Sequence, residues 1–211
     1  MTPQAVVDPA RAILDAAGRL DQVALRSSLD AAVDQFGVTA AVTEVMIPAL
    51  HRIGEDWASG RLGVMHEHLL SRAIATELDR RSSYEPTASA RTALLACPPR
   101  ELHDLPLLMA SLLLQERGWS TVVLGASTPW PAIGSALRTV RPDVCILAAT
   151  RPTAFAANLT AVGQLARRAP VYLGGPASTR VEQTVEDVHV LPLDLADAVT
   201  YLDTVALPAH G

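Results

Sequence analysis

The chain has 211 residues, 49% of them hydrophobic and 18% charged, with a formal net charge of −5. That is enough length for one large or two small domains with real cores, and too apolar a composition for a disordered chain. Basic residues are scattered rather than gathered in a stripe, so nucleic acid is excluded as an expected direct partner. The N-terminal "MTPQAVVDPARAILDAAGRL" lacks the basic-then-apolar order of a secretion signal, and the most apolar stretch, "LPLLMASLLL", is about half a membrane span. A cytoplasmic protein without a membrane partner is therefore expected.

The first part of the chain has helical periodicity. Asp8-Pro9 reads as an N-cap with proline in the first turn, and Gly18 as a stop. Leu25, Leu29 and Val33 mark a second helix that ends at Phe36-Gly37. A third, from Thr39, carries Val42, Val45, Met46, Ala49, Leu50, Ile53 and Trp57 along one stripe, with a kink expected at Pro48. A fourth runs from about Val64 to Arg81. Four such helices with short connections form a bundle, placed over residues 8–84.

After the polar linker "RSSYEPTASA" the pattern changes. The apolar runs "TALLAC", "STVVLGA", "DVCILAA", "PVYLGG" and "VHVLP" alternate with the helical segments "LPLLMASLLLQERG", "PWPAIGSALRTV", "AFAANLTAVGQLARR", "RVEQTVED" and "LADAVTYLDTV". This alternation predicts a five-stranded parallel sheet covered on both faces, a Rossmann-like or flavodoxin-like domain over residues 91–211. Cys97 and Cys145 fall inside strand-like runs and read as buried thiols rather than a disulfide. In such a sheet, ligands bind outside the carboxyl ends of the strands.

The loop after the first strand, "CPPRELHDLP", places His103 two residues after Glu101, a carboxylate able to take the imidazole N–H. A histidine oriented this way presents its other nitrogen to a metal. One histidine cannot build a zinc site, but a lone imidazole suffices for a metal already held by a macrocycle. The other reading is a solvated loop histidine bonded to its neighbour. In the bundle, "GEDWASGRLGVMHEHLLS" gathers Trp57 and an interleaved His66-Glu67-His68. With Leu70, Ile74 and Leu78 as the buried stripe, His66 and Glu67 fall near it and His68 points away. Trp57 lies on an apolar stripe, which suits either core packing or closure over a ligand.

Glu101-Leu102-His103-Asp104-Leu105-Pro106 resembles the Asp-x-His-x-x-Gly signature of cobalamin-binding domains, and Gly174-Gly175 in "YLGGPAS" resembles the glycine pair after their fourth strand. Trp57, nine residues, then Glu67-His68 resembles the Trp-x9-Glu-His pattern of the CarH-like adenosylcobalamin photoreceptors. The resemblance implies that His103 is the lower axial ligand of cobalt, that Gly174-Gly175 flank the buried nucleotide tail, and that the helical bundle caps the upper face with Trp57, Glu67 and His68. It implies a light-sensing regulatory chain rather than an enzyme. Photolysis of the cobalt–carbon bond then drives a conformational or assembly change in a homo-oligomer, a dimer or larger. The first residues already enter the bundle, so the expected output is self-association or a protein partner.

Several positions depart from these patterns. Glu101 stands for Asp, and Pro106 for Gly at a first-turn position that tolerates proline. Ala148 stands where the family has a serine at the end of the third strand, with Thr150 the nearby hydroxyl that can replace it. Ala58 occupies the place of the histidine that follows the tryptophan in CarH-like proteins, and His66 is the candidate for that missing upper ligand. Loss of that histidine is compatible with the related photocobilins, which add a bilin such as biliverdin. Here it would be held without a thioether, with Arg61 or Arg72 facing its propionates. The competing reading is a corrinoid carrier of a methyltransferase system, which shares the plan and the axial histidine but needs no adenosyl-fitted tryptophan. A domain that has lost cobalamin is the third.

Overall fold

The computed structural model describes residues 8–82, 90–181 and 185–205. Contacts divide the chain into two compact units after Arg81. Most of the polar linker, Tyr84 at the expected bundle boundary and the last six residues, 206–211, lie outside the described residues.

In the first unit, α1 (Pro9–Gly18) begins as its sequence dictates: the Asp8 carboxylate accepts the Ala10 N–H at 3.1 Å, and Pro9 sits where no N–H is needed. Asp21 caps α2 (Gln22–Ala40) in the same way, accepting the Ala24 N–H at 3.0 Å. Leu25, Leu29 and Val33 are buried along it. At Gly37 the backbone takes φ 79° and ψ 165°, a conformation reserved for glycine, and the helix kinks there. Beyond the kink, Ala41–Met46 is π-helical and α3 (Ile47–Ala58) follows, with Pro48 in its first turn. Proline has no N–H and its ring collides with the carbonyl four residues back. The wider turn, seen in the Ile47 N–H bond to the Val42 carbonyl, accommodates both.

The stripe that runs from the π-helical segment into α3 buries Val42, Val45, Met46, Ala49 and Ile53, but Trp57 at its end is 53% exposed. Core packing therefore does not account for this tryptophan. In α4 (Val64–Arg81), Leu70, Ile74 and Leu78 are fully buried. Glu77, 6% exposed, takes Arg80 and Arg81, and both arginines also reach Asp30 of α2; Arg81 Nη2 lies 2.7 Å from Asp30 and 3.1 Å from Asp34. This charge network fastens α4 to α2, and the two arginines hold the Asp30 carboxyl below its ordinary range.

In the second unit, β1 (Thr92–Ala96), β2 (Ser120–Gly125), β3 (Val144–Ala148), β4 (Val171–Gly174) and β5 (Val188–Val190) form one parallel sheet in the order β2-β1-β3-β4-β5. Its helices are α5 (Leu105–Gln115), α6 (Trp130–Val140), α7 (Thr153–Ala156), α8 (Leu159–Ala166) and α9 (Leu195–Val205). Apolar strands buried on both faces give the parallel arrangement, as their sequence predicts. The chain leaves β1 toward one edge and β3 toward the other. The loops after these two strands therefore diverge and open a crevice at the carboxyl ends, the switch point where ligands bind in such sheets. At the opposite end, the Trp119 indole donates to Asp203 of α9 at 3.1 Å and Arg91 lies over its ring at 4.2 Å.

Two expected helices differ. "AFAANLTAVGQLARR" is split into α7 and α8 at Ala157-Asn158, because the Asn158 amide turns back to the Ala154 carbonyl at 3.0 Å and competes with helical bonding. The helix expected over "RVEQTVED" is not formed by its described residues. Arg180 ends a 3-10 turn (Pro176–Arg180), Val181 is extended and Glu186-Asp187 form a turn, while residues 182–184 lie outside the described ones. Both thiols, Cys97 and Cys145, are free and buried, and burial pushes each up to about 12. Among the described residues, no helix is long and apolar enough to cross a membrane.

Gly175, just past β4, has φ 78° and ψ 174°, and an added Cβ would lie 2.7 Å from the Ala149 carbonyl oxygen. Backbone, not a flexible side chain, is the obstacle. Gly175→Ala is therefore expected to destabilise the chain by about 1–3 kcal/mol from conformation alone, with the clash adding to it. The denaturant midpoint measures this, and an unchanged midpoint would contradict it.

Candidate functional site

The crevice between the β1 and β3 loops is organised around Glu101. Its side chain has no exposed surface, yet its carboxylate accepts five hydrogen bonds. Oε1 takes the His103 N–H at 3.1 Å and His103 Nδ1 at 2.6 Å. Oε2 takes the Thr150 N–H at 2.7 Å, the Thr150 hydroxyl at 3.0 Å and the Arg151 N–H at 3.2 Å. Burial alone would raise the carboxyl pKa. The bonds from Thr150, His103 and Arg151 outweigh it and hold the pKa at about 2 against an ordinary 4.5, so Glu101 is ionised.

An ionised acceptor fixes the tautomer of the histidine. His103 Nδ1 must carry the proton, and the Thr150 oxygen, 3.1 Å away and with its own proton given to Glu101, can only accept from it. With the Nδ1 proton held there, Nε2 is the nitrogen left to present a lone pair, on a side chain that is 68% exposed. The loop carrying it is pinned on several sides. Thr128 N–H bonds the Cys97 carbonyl at 2.9 Å, Ser127 N–H bonds the Glu101 carbonyl at 2.7 Å, and Arg100, at φ 68°, donates its N–H to the Ser127 hydroxyl at 3.0 Å. Arg151 Nη2 donates to the Pro99 carbonyl at 3.1 Å.

This is an outward-facing single nitrogen donor whose ring is oriented by a buried carboxylate, which suits a metal that brings its other ligands with it. Among the described residues no cluster of three His, Cys, Asp or Glu side chains could hold a bare metal ion. The buried Nε of Arg151 has no hydrogen-bond partner, a further sign that the crevice is shaped for a polar guest.

The remaining residues singled out by the sequence are distributed as follows. Leu102 is 70% exposed beside His103. Asp104 precedes α5 without capping it, and its carboxylate lies 3.5 Å from where a Cβ on Gly125 would stand; Leu105 begins that helix and Pro106 occupies its first turn. Gly174 is buried, and a Cβ there would meet Leu191 at ordinary contact distance, whereas Gly175 closes on the Ala149 backbone, so Gly175 is the glycine that lets two backbone segments meet. Thr150, the hydroxyl expected in place of the serine that Ala148 replaces, belongs to the Glu101 cage and donates its proton to that carboxylate.

In the helical unit, His66 is half-buried and its Nδ1 lies 3.0 Å from both the N and the O of Gly63. Glu67 accepts the Ser71 hydroxyl at 2.6 Å and faces His68 Nδ1 at 2.7 Å. His68 is 72% exposed. Trp57, Val64 and Met65 are each about half exposed. Of the two arginines named for a bilin, Arg61 is paired with Asp56 and Arg72 is exposed. Sequence reasoning missed Arg151, which bridges the two crevice loops, and Ser71. Only the latter carried a legible signal, as the residue four after Glu67 on one helix face.

Residues 9–81 match the B12 binding domain family. The HTH-type transcriptional repressor CarH of Myxococcus xanthus is 34% identical over 182 residues, which are 84% of this chain and 61% of that protein. CarA, a repressor of the same type and organism, is 34% identical over 164 residues, 75% of this chain and 54% of that one. The chain thus spans little more than half the length of these relatives. The monomethylamine corrinoid protein of Methanosarcina barkeri has a TM-score of 0.71, covering 92% of this chain and 96% of its own, at 13% identity, a likeness of fold. The helical unit thus matches a B12 binding domain family, in a chain similar to the CarH and CarA repressors over 75–84% of its length.

Proposed function

We propose that this chain is a light-sensing, cobalamin-binding regulatory protein that takes adenosylcobalamin with its own base displaced and His103 as the lower ligand. The observation that carries the reading is the Glu101 cage, which leaves His103 Nε2 as a fixed, exposed donor. Glu101 and Thr150 hold the ring and its Nδ1 proton. Leu102, Asp104 and Leu105 shape the loop around it, and Gly174 and Gly175 line the neighbouring strand end. The cofactor supplies a metal–carbon bond that visible light can break.

The helical unit contributes the selectivity for adenosyl. Trp57 is a half-exposed indole at the end of an otherwise buried stripe, and Glu67 holds His68 and Ser71 one helix away in sequence. His66 stands as the candidate upper ligand in place of the histidine that Ala58 replaces. Homology to CarH favours this reading over a methyl carrier, which would give the exposed Trp57 no work. The output is a light-dependent change in the self-association of the chain, a two-state element biased by the ligand. A non-covalent bilin as second chromophore extends the proposal: both cysteines are buried away from thioether chemistry, and Arg72 is the exposed arginine for its propionates.

The test loads the protein with adenosylcobalamin or methylcobalamin in darkness and follows spectrum and size before and after illumination. Tight adenosyl binding with a light-dependent change in assembly is the expected result. Selective methyl binding without such a change would establish the carrier instead, and no binding would end both. Adding biliverdin to the same sample should produce a red absorption band; its absence at saturation removes the bilin.

A further inference from the structure

Arg151 is the best-placed side chain to which no role has yet been given. It follows Thr150 in the loop after β3, gives its backbone N–H to Glu101 and its Nη2 to the Pro99 carbonyl of the histidine loop. Its Nε is buried and has no hydrogen-bond partner. Nor does Arg151 make an ion pair among the described residues; the neighbouring Glu101 carboxylate is filled by its five donors. A guanidinium is permanently charged, and a buried N–H of such a group left unmatched is costly. Its planar fork fits anionic oxygens, above all those of a phosphate.

Resting on the reading that this crevice takes cobalamin, we propose that Arg151 is a positioning residue for the nucleotide tail, its Nε–H donated to an oxygen of the tail phosphate. The same side chain then does two things. Through Pro99 it fixes the loop that carries His103, and through Nε it recognises the one negatively charged group of the tail. The site thereby distinguishes complete corrinoids from those that lack a nucleotide.

The experiment titrates wild type, Arg151→Met and Arg151→Lys in the dark with adenosylcobalamin and with adenosylcobinamide, which has no tail phosphate. Arg151→Met is expected to weaken adenosylcobalamin by about tenfold to a hundredfold and adenosylcobinamide by about twofold or less, so that the preference for the complete corrinoid collapses. An equal loss for both corrinoids would reduce Arg151 to a loop support and overturn the proposal, as would no loss for either. A wild type that binds neither corrinoid overturns the cobalamin reading itself, and this inference with it, before any variant is compared. Should Arg151→Met fail to fold, Arg151→Lys decides by the same affinity ratio, because it keeps the charge and removes the Nε–H fork.

Discussion

Glu101→Gln is expected to lower the stability of the chain at neutral pH by about 2–5 kcal/mol, because an amide cannot accept on both sides of a cage built from donors. Turning its NH2 toward Thr150 and Arg151 leaves two buried N–H groups and a hydroxyl facing a donor; turning it toward His103 strands the ring and the loop N–H. The same change frees the imidazole to rotate and to exchange tautomers. Cobalamin affinity should therefore fall about tenfold to a hundredfold, the usual effect of removing the group that orients a ligating histidine.

The pH dependence follows with a definite sign. The folded-state pKa of Glu101, about 2, lies below the ordinary 4.5, so its stabilisation is fully present above about pH 4.5 and is lost as pH falls toward 2. The amount is on the order of 3 kcal/mol. Urea midpoints across this window should fall more steeply for wild type than for Glu101→Gln. Parallel curves would show that the cage does not hold an ionised carboxylate.

Trp57→Ala separates structure from function in the other unit. An indole that is 53% exposed contributes little to packing, so the unloaded chain should change by less than about 1 kcal/mol. If the indole closes over the adenosyl group, its loss removes base stacking worth about 1–3 kcal/mol. Adenosylcobalamin affinity then drops about tenfold to a hundredfold, methylcobalamin affinity holds, and the light-dependent change in assembly is blunted. A large loss of stability with unchanged adenosyl preference would make Trp57 a packing residue and remove the main support for light sensing.

How much of this was legible in the sequence depended on the range of the interactions. The Asp8-Pro9 start and the break at Gly37 are local, and one residue's geometry decides each; α1 does end at Gly18, but the left-handed residue beyond it is Leu20. The central strands β1, β3 and β4 are short, apolar and buried on both faces, so their pattern was sufficient to order the middle of the sheet. The π-helical turn before Pro48 was not foreseeable, because proline announces a disturbance but not how the backbone absorbs it. The Glu101–His103 pair could be read from a two-residue spacing. The rest of the cage, Thr150 and Arg151, comes from 49 and 50 residues away and is assembled only when β1 and β3 become neighbours. For Trp57 the sequence left two readings open, because an apolar stripe suits packing and ligand closure alike, and its exposure became visible only once the helices were packed.

The central claim is that a protein nitrogen, His103 Nε2, binds cobalt from below. The most direct measurement is the electron paramagnetic resonance spectrum of the protein loaded with cob(II)alamin, with histidine at natural abundance and then labelled with nitrogen-15. A three-line splitting that becomes two-line on labelling, and is lost in His103→Ala, is the predicted result. A splitting unaffected by the label would mean that the cofactor keeps its own base, and would contradict the account.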